Sequence, residues 1–110
     1  MAKRLYLLLV MILVGATTAH AAWPDRPIQM IVPYPPGGFT DALARAVAKP
    51  LSERLGQQVI VQNVSGGGGN IGAAKAAKSP ADGYTIFVGN NATITINTLI
   101  YKSLSFDPLK

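Results

Sequence analysis

Beyond residue 21, short apolar runs alternate with longer amphipathic stretches, and the alternation repeats three times. Ile28-Gln29-Met30-Ile31-Val32 is an apolar run closed by Pro33, which predicts a strand. The Pro- and Gly-rich loop YPPGGF at 34–39 follows. Thr40 or Asp41 is then placed to cap a helix whose apolar residues Leu43, Val47, Leu51 and Leu55 recur at a spacing of four. Gly56 is a stop signal for it, and Pro50, which has no N–H to offer the carbonyl of Ala46, predicts a kink or break. The second unit is the run 58–64 (QVIVQNV), a glycine loop at 65–69 and an Ala-rich helix over about 70–78. A turn at 79–83 leads to the third strand, 84–88 (YTIFV). A polar loop at 89–93 and a helix starting near Thr93 to Thr95 and running to Tyr101 complete the set.

Three strand–helix units in succession predict an α/β fold with a parallel, right-handed β-α-β sheet. In such sheets ligands sit beyond the carboxyl ends of the strands. The loops 34–40, 64–70 and 89–95 are therefore expected to share one edge. The chain stops soon after the third unit, so the expectation is a domain that forms part of a larger protein.

The first 21 residues read as a secretory leader and not as part of the fold. Lys3 and Arg4 form a positive start, and Leu5 to Val14 is an apolar stretch too short to span a bilayer. Ala19-His20-Ala21 has the form of a cleavage site, with Ala21 the last leader residue and Ala22 the expected mature start. Setting Lys3 and Arg4 aside leaves 8 basic against 5 acidic residues, spread along the chain. No basic run with interleaved aromatics occurs, so a nucleic-acid partner is not expected. Cysteine is absent, and the only histidine, His20, lies in the leader. Disulfides, thiolate metal sites and histidine-dependent catalysis are excluded for the mature chain.

The candidate chemistry therefore rests on glycine. In SGGGGNIG (65–72), Gly67, Gly69 and Gly72 fit G-x-G-x-x-G, the dinucleotide fingerprint. That reading also requires an acidic residue at the end of the next strand. Here that strand ends in Gly89-Asn90-Asn91, and Asp82 lies at its wrong end. Anion binding by backbone N–H groups is the alternative that survives. The loop PPGGFT at 35–40 repeats the design one unit earlier, so two such loops side by side could grip a carboxylate without an arginine.

The order PPGG-x-x-D, G-N-I-G and D-G-Y-T resembles the periplasmic solute-binding receptors of the tripartite tricarboxylate transporter family, the Bug-type receptors. The likeness spans nearly all of residues 24–108, through PDRPI (24–28), VPYPPGGFTDALAR (32–45), LSERLGQQVIVQN (51–63) and GGGGNIGAAKAAKSPADGYT (66–85). It implies a type II, two-lobed periplasmic-binding-protein fold of which only part of the first lobe is present, over 22–110. It further implies a periplasmic receptor that captures a small mono-, di- or tricarboxylate and hands it to membrane permease subunits. No enzymatic chemistry, cofactor or metal is implied. Carried over by position, the first loop contributes Gly37, Gly38, Phe39, Thr40 and Asp41, and the second Gly68, Gly69 and Asn70. Asn90, Asn91, Thr93 and Thr95 occupy the third. Duller roles compete: Asp41 and Asn70 as helix caps, Thr93 and Thr95 as caps of the third helix, Tyr84 and Phe87 as core. The chain departs from the family at Gln62, Val64 and Ser65, where an acidic residue, Arg and Pro are common, and at Thr98, where proline is. Two other readings stand beside this one, an exported dinucleotide-binding oxidoreductase using SGGGGNIG and a truncated remnant without function.

Overall fold

The computed structural model describes residues 22–109. The expected leader lies outside them, apart from its flanking Ala22. Three parallel strands, β1 (Ile28–Val32), β2 (Val59–Asn63) and β3 (Thr85–Phe87), form one sheet in the order β2-β1-β3. The register pairs Ile28 with Val59 and Val32 with Asn63 on one side of β1, and Gln29 with Thr85 and Ile31 with Phe87 on the other. Helix α1 (Phe39–Leu55) connects β1 to β2, and α2 (Asn70–Ala77) connects β2 to β3. A 3-10 turn, Gly67–Gly69, precedes α2. A π-helical turn, Ala92–Ile96, leads into the short α3 (Asn97–Ile100).

The two crossovers run in opposite directions across the sheet, so right-handedness places α1 and α2 on opposite faces. Side-chain alternation along the strands agrees. Ile28, Met30 and Val32 pack with Ala44, Ala48 and Val59, and Tyr84, Ile86 and Val88 lean on the same cluster. Ile31, also fully buried, points the other way, towards the face where Thr85 and Phe87 line a cavity of about 280 Å³ beneath Ala73, Ala76 and Ala77 of α2. Burying each large side chain of β1 contributes about 1.5–3 kcal/mol.

Helix α1 corrects the expected pattern in three places. Its inward residues are Ala44, Ala48, Leu51 and Leu55, while Leu43 and Val47 are exposed. A strict spacing of four drifts about 40° per step on a helix of 3.6 residues per turn. A stripe that begins at Leu43 therefore reaches the core only at its far end. Pro50 lies inside one continuous helix and does not break it. The helix also starts earlier than expected, with Gly38 and not Thr40 or Asp41 at the N-cap. At its other end Gly56 takes the left-handed conformation (φ 67°) and donates its N–H to Ser52, as a helix stop requires.

Candidate functional site

The carboxyl ends of β1, β2 and β3 carry the three loops, and side chains tie them together. In the first loop Pro35 and Pro36 have no N–H, and Gly37 adopts φ 88°. Gly38 caps α1 with extended backbone and without a side-chain hydrogen bond. The first bond inside the helix runs from the N–H of Ala42 to the carbonyl of Gly38, at 3.0 Å. The N–H groups of Phe39, Thr40 and Asp41 have no intrahelical acceptor, and they sit at the positive end of the helix dipole. Phe39 is 85% exposed beside them.

Asp41 does not occupy the cap. It is 3% exposed and turns back under the loop. Its Oδ2 accepts the N–H of Gly37 at 2.9 Å, and its carboxylate takes the Nε of Arg45 at 3.0–3.1 Å. Asn63 donates Nδ2 to its Oδ1 at 2.9 Å. These donors, Arg45 first, hold the Asp41 carboxyl well below the usual carboxylate range, with burial opposing them. Asp41 in turn raises Arg45.

The second loop is a run of four glycines, Gly66 to Gly69, all at positive φ between 58° and 123°. A side chain would be strained at each. The run curls on itself. The N–H of Gly69 reaches the carbonyl of Gly66 at 3.0 Å, and the N–H of Asn70 reaches Gly67. Among the described residues the N–H of Gly68 has no acceptor. Gly72 fills the last position of the fingerprint for a packing reason. A Cβ there would lie 2.6 Å from the carbonyl oxygen of Val64 and 2.8 Å from the Cα of Pro33.

The third loop is capped by Asn90, whose Oδ1 accepts the N–H groups of Ala92 and Thr93 at 3.0 and 3.3 Å. Thr93, fully buried, returns the favour by accepting the N–H of Asn90 through Oγ1. The helical segment thus opens before Thr93, earlier than the sequence pattern predicts, and Thr95 lies exposed within it. Asn91 is exposed as well.

Long-range bonds join the loops. The Tyr34 hydroxyl donates to Asn90 Oδ1 at 2.7 Å, linking the first and third. Asn97, 5% exposed, donates Nδ2 to the carbonyl of Gly68 at 3.0 Å and to Asn70 Oδ1 at 2.7 Å, linking the second and third. Tyr101 reaches the carbonyl of Gly67 at 3.4 Å. The structure thus brings Gly37–Asp41, Gly68–Asn70 and Asn90 to one edge, with the side chains of Asp41, Asn70, Asn90 and Thr93 already engaged by the protein. Sequence reasoning passed over Asn63 and Asn97 as functional positions. Only their polar character at a strand end, or inside an otherwise apolar helix, marked them. Of the suggested core residues, Tyr84 packs partly against the core cluster, and Phe87 is half-buried at the cavity under α2.

A parallel β2-β1-β3 sheet with its strand-to-helix loops gathered at the carboxyl edge defines an α/β unit with a candidate binding edge, the place where open α/β sheets take up ligands. The chain belongs to the tripartite tricarboxylate transporter receptor family, whose profile matches residues 43–110. It is 44% identical over 98 residues to Protein BugT of Bordetella pertussis, covering 88% of this chain and 30% of that protein. A Rhodopseudomonas palustris protein, Rpa4515, solved with adipate, superposes with a TM-score of 0.77 at 44% identity, over 80% of this chain and 29% of that one. MatC from Rhodopseudomonas palustris, solved with bound malate, gives a TM-score of 0.77 at 32% identity, over 80% of this chain and 30% of that one. The chain spans about 30% of the length of these relatives. The family consists of periplasmic solute-binding receptors and not enzymes, which removes the oxidoreductase reading of SGGGGNIG.

Proposed function

We propose that this chain forms part of an extracytoplasmic receptor that captures a small organic carboxylate and delivers it to the permease of a tripartite tricarboxylate transporter. Residues 1–21 direct it to the periplasm and are removed between Ala21 and Ala22. One carboxylate of the ligand is held by the first loop, Gly37 to Asp41, through the main-chain N–H groups of Gly38, Phe39, Thr40 and Asp41, while the N–H of Gly37 stays on the Asp41 carboxylate. Gly68, Gly69 and Asn70 contribute from the second, with Gly68 supplying the open N–H. Asn90, Asn91 and Thr95 form the third wall, and the fully buried Thr93 acts behind it by holding Asn90.

The observation that carries this reading is the uncapped N-terminus of α1, set beside a left-handed glycine run on one sheet edge. Donors left open there, at the positive end of a helix dipole, are complementary to an anion. Two structural neighbours were solved with adipate and with malate, both dicarboxylates, which supports a carboxylate as the anion. Calorimetry of the intact protein against a panel of mono-, di- and tricarboxylates, adipate and malate included, tests the proposal. At a 100-fold excess over its Kd the correct ligand stabilises the protein by about 2.7 kcal/mol. A panel without heat or thermal stabilisation would overturn it.

A further inference from the structure

We infer that Asn63 is the positioning residue of the first anion loop, setting the backbone on which the carboxylate's donors depend. The inference deepens the receptor reading and rests on it for the identity of the anion. Asn63 is the last residue of β2, where the ladder still holds, because the N–H of Val64 bonds the carbonyl of Val32 at 2.8 Å. From that fixed point its Nδ2 donates to two acceptors on either side of the loop. One is the carbonyl of Tyr34 at 3.0 Å, where the loop begins. The other is Asp41 Oδ1 at 2.9 Å, where α1 begins. Its own Oδ1 accepts Arg45 at 3.2 Å. Asp41 passes the constraint on by holding the N–H of Gly37.

The loop needs such a brace. Pro35 and Pro36 donate nothing, and two glycines in succession leave the backbone loose. Without a side-chain cap on α1, the bond from Gly37 to Asp41 is what fixes the approach to the helix. Asparagine suits position 63 because the neighbouring groups are a carbonyl, a carboxylate and a guanidinium, and only a carboxamide donates twice and accepts once there. Aspartate would set a second carboxylate against Asp41, and alanine would leave both acceptors without their donor. Asn63 touches the ligand nowhere in this account and acts through Tyr34 and Asp41.

The test compares Asn63→Ala and Asn63→Asp with wild type in the intact, isotope-labelled protein, following the Gly37 amide by NMR without ligand. In Asn63→Ala, Gly37 exchanges roughly tenfold faster or more, while β1, β2 and β3 keep their protection. In Asn63→Asp, the Gly37 shift titrates with pH and moves towards the wild-type position as the pair of carboxyls at 41 and 63 takes up its first proton, which restores one of the two donated hydrogen bonds. Asp41 and Arg45 are the charged groups bonded at this position, and both residues are kept in the two variants. Affinity for adipate and malate at pH 7 falls about tenfold or more in both variants. A Gly37 amide unmoved in both variants overturns the positioning role, whatever binding shows. A Gly37 response with unchanged affinity overturns its link to the ligand. A Gly37 response in a wild type that binds no carboxylate overturns the receptor reading and leaves the loop-positioning role standing.

Discussion

Replacing Gly72 by alanine measures how closely α2 approaches the sheet edge. The added Cβ would meet the carbonyl oxygen of Val64 at 2.6 Å, about 0.8 Å inside the 3.4 Å at which ordinary contact begins. It would also meet Pro33 at 2.8 Å. The closest of these partners are backbone atoms, at the ends of two different strands, so no side-chain rotation relieves the clash and α2 must retreat. Overpacking of this kind costs about 1–3 kcal/mol. Alanine recovers about 1 kcal/mol through its better helix propensity. The net expectation is a loss of up to about 2 kcal/mol, read as a lower urea midpoint with an unchanged slope. Because α2 carries the second loop, the amide shifts of Gly69 and Asn70 should move in the same variant. Gly56→Ala is the control. It meets nothing within 4 Å but sits at φ 67°, so it costs about 1 kcal/mol of backbone strain and leaves those amides in place. A Gly72→Ala protein at least as stable as wild type, with its loop amides unmoved, would refute the packing argument.

Acid unfolding should carry the mark of Asp41. Its folded pKa lies below the ordinary 3.8, so its contribution to stability is present above about pH 4 and is lost as the pH falls below that. Asp41→Asn should flatten this acid limb in urea titrations between pH 7 and 2.5, and an identical limb would show that the carboxylate is not the group responsible. Asn97→Ala removes the donor shared by Gly68 and Asn70 and should cost about 1–3 kcal/mol, with faster amide exchange across the glycine run. Exchange that stays at the wild-type rate would separate α3 from the second loop. Met30→Ala opens the core between α1 and the sheet and should cost about 2–5 kcal/mol in chemical denaturation, and a cost below 1 kcal/mol would place the core elsewhere.

The parts of the fold that could be read from sequence are those set by local chemistry. The runs at 28–32, 58–64 and 84–88 announce strands because apolar residues cluster between Pro, Gly and Asp punctuation. Parallel pairing then puts their following loops on one edge without further information. Gly56 was legible as a helix stop for the same local reason. The inward face of α1 was not, because alanines at 44 and 48 carry little hydrophobic signal beside the leucine and valine of positions 43 and 47. Asn90 and Thr93 are both acceptable caps by type, and only the observed helix start separates them. The bonds that organise the site were least legible. Asn63 to Tyr34 and Asn97 to Gly68 each span 29 residues, and no periodicity encodes a contact of that range. Four consecutive glycines signalled an unusual backbone, but which of their N–H groups stays open depends on how the run curls.

Carboxylate capture by loop backbone is the central claim, and an amide NMR titration tests it most directly. The intact, isotope-labelled protein is titrated with adipate and, separately, with malate. The account predicts that the largest shifts fall on the N–H groups of Gly38 to Asp41 and of Gly68. Shifts confined to other places, such as the cavity beneath α2 lined by Ala73 and Phe87, or no shifts with either acid, would contradict it.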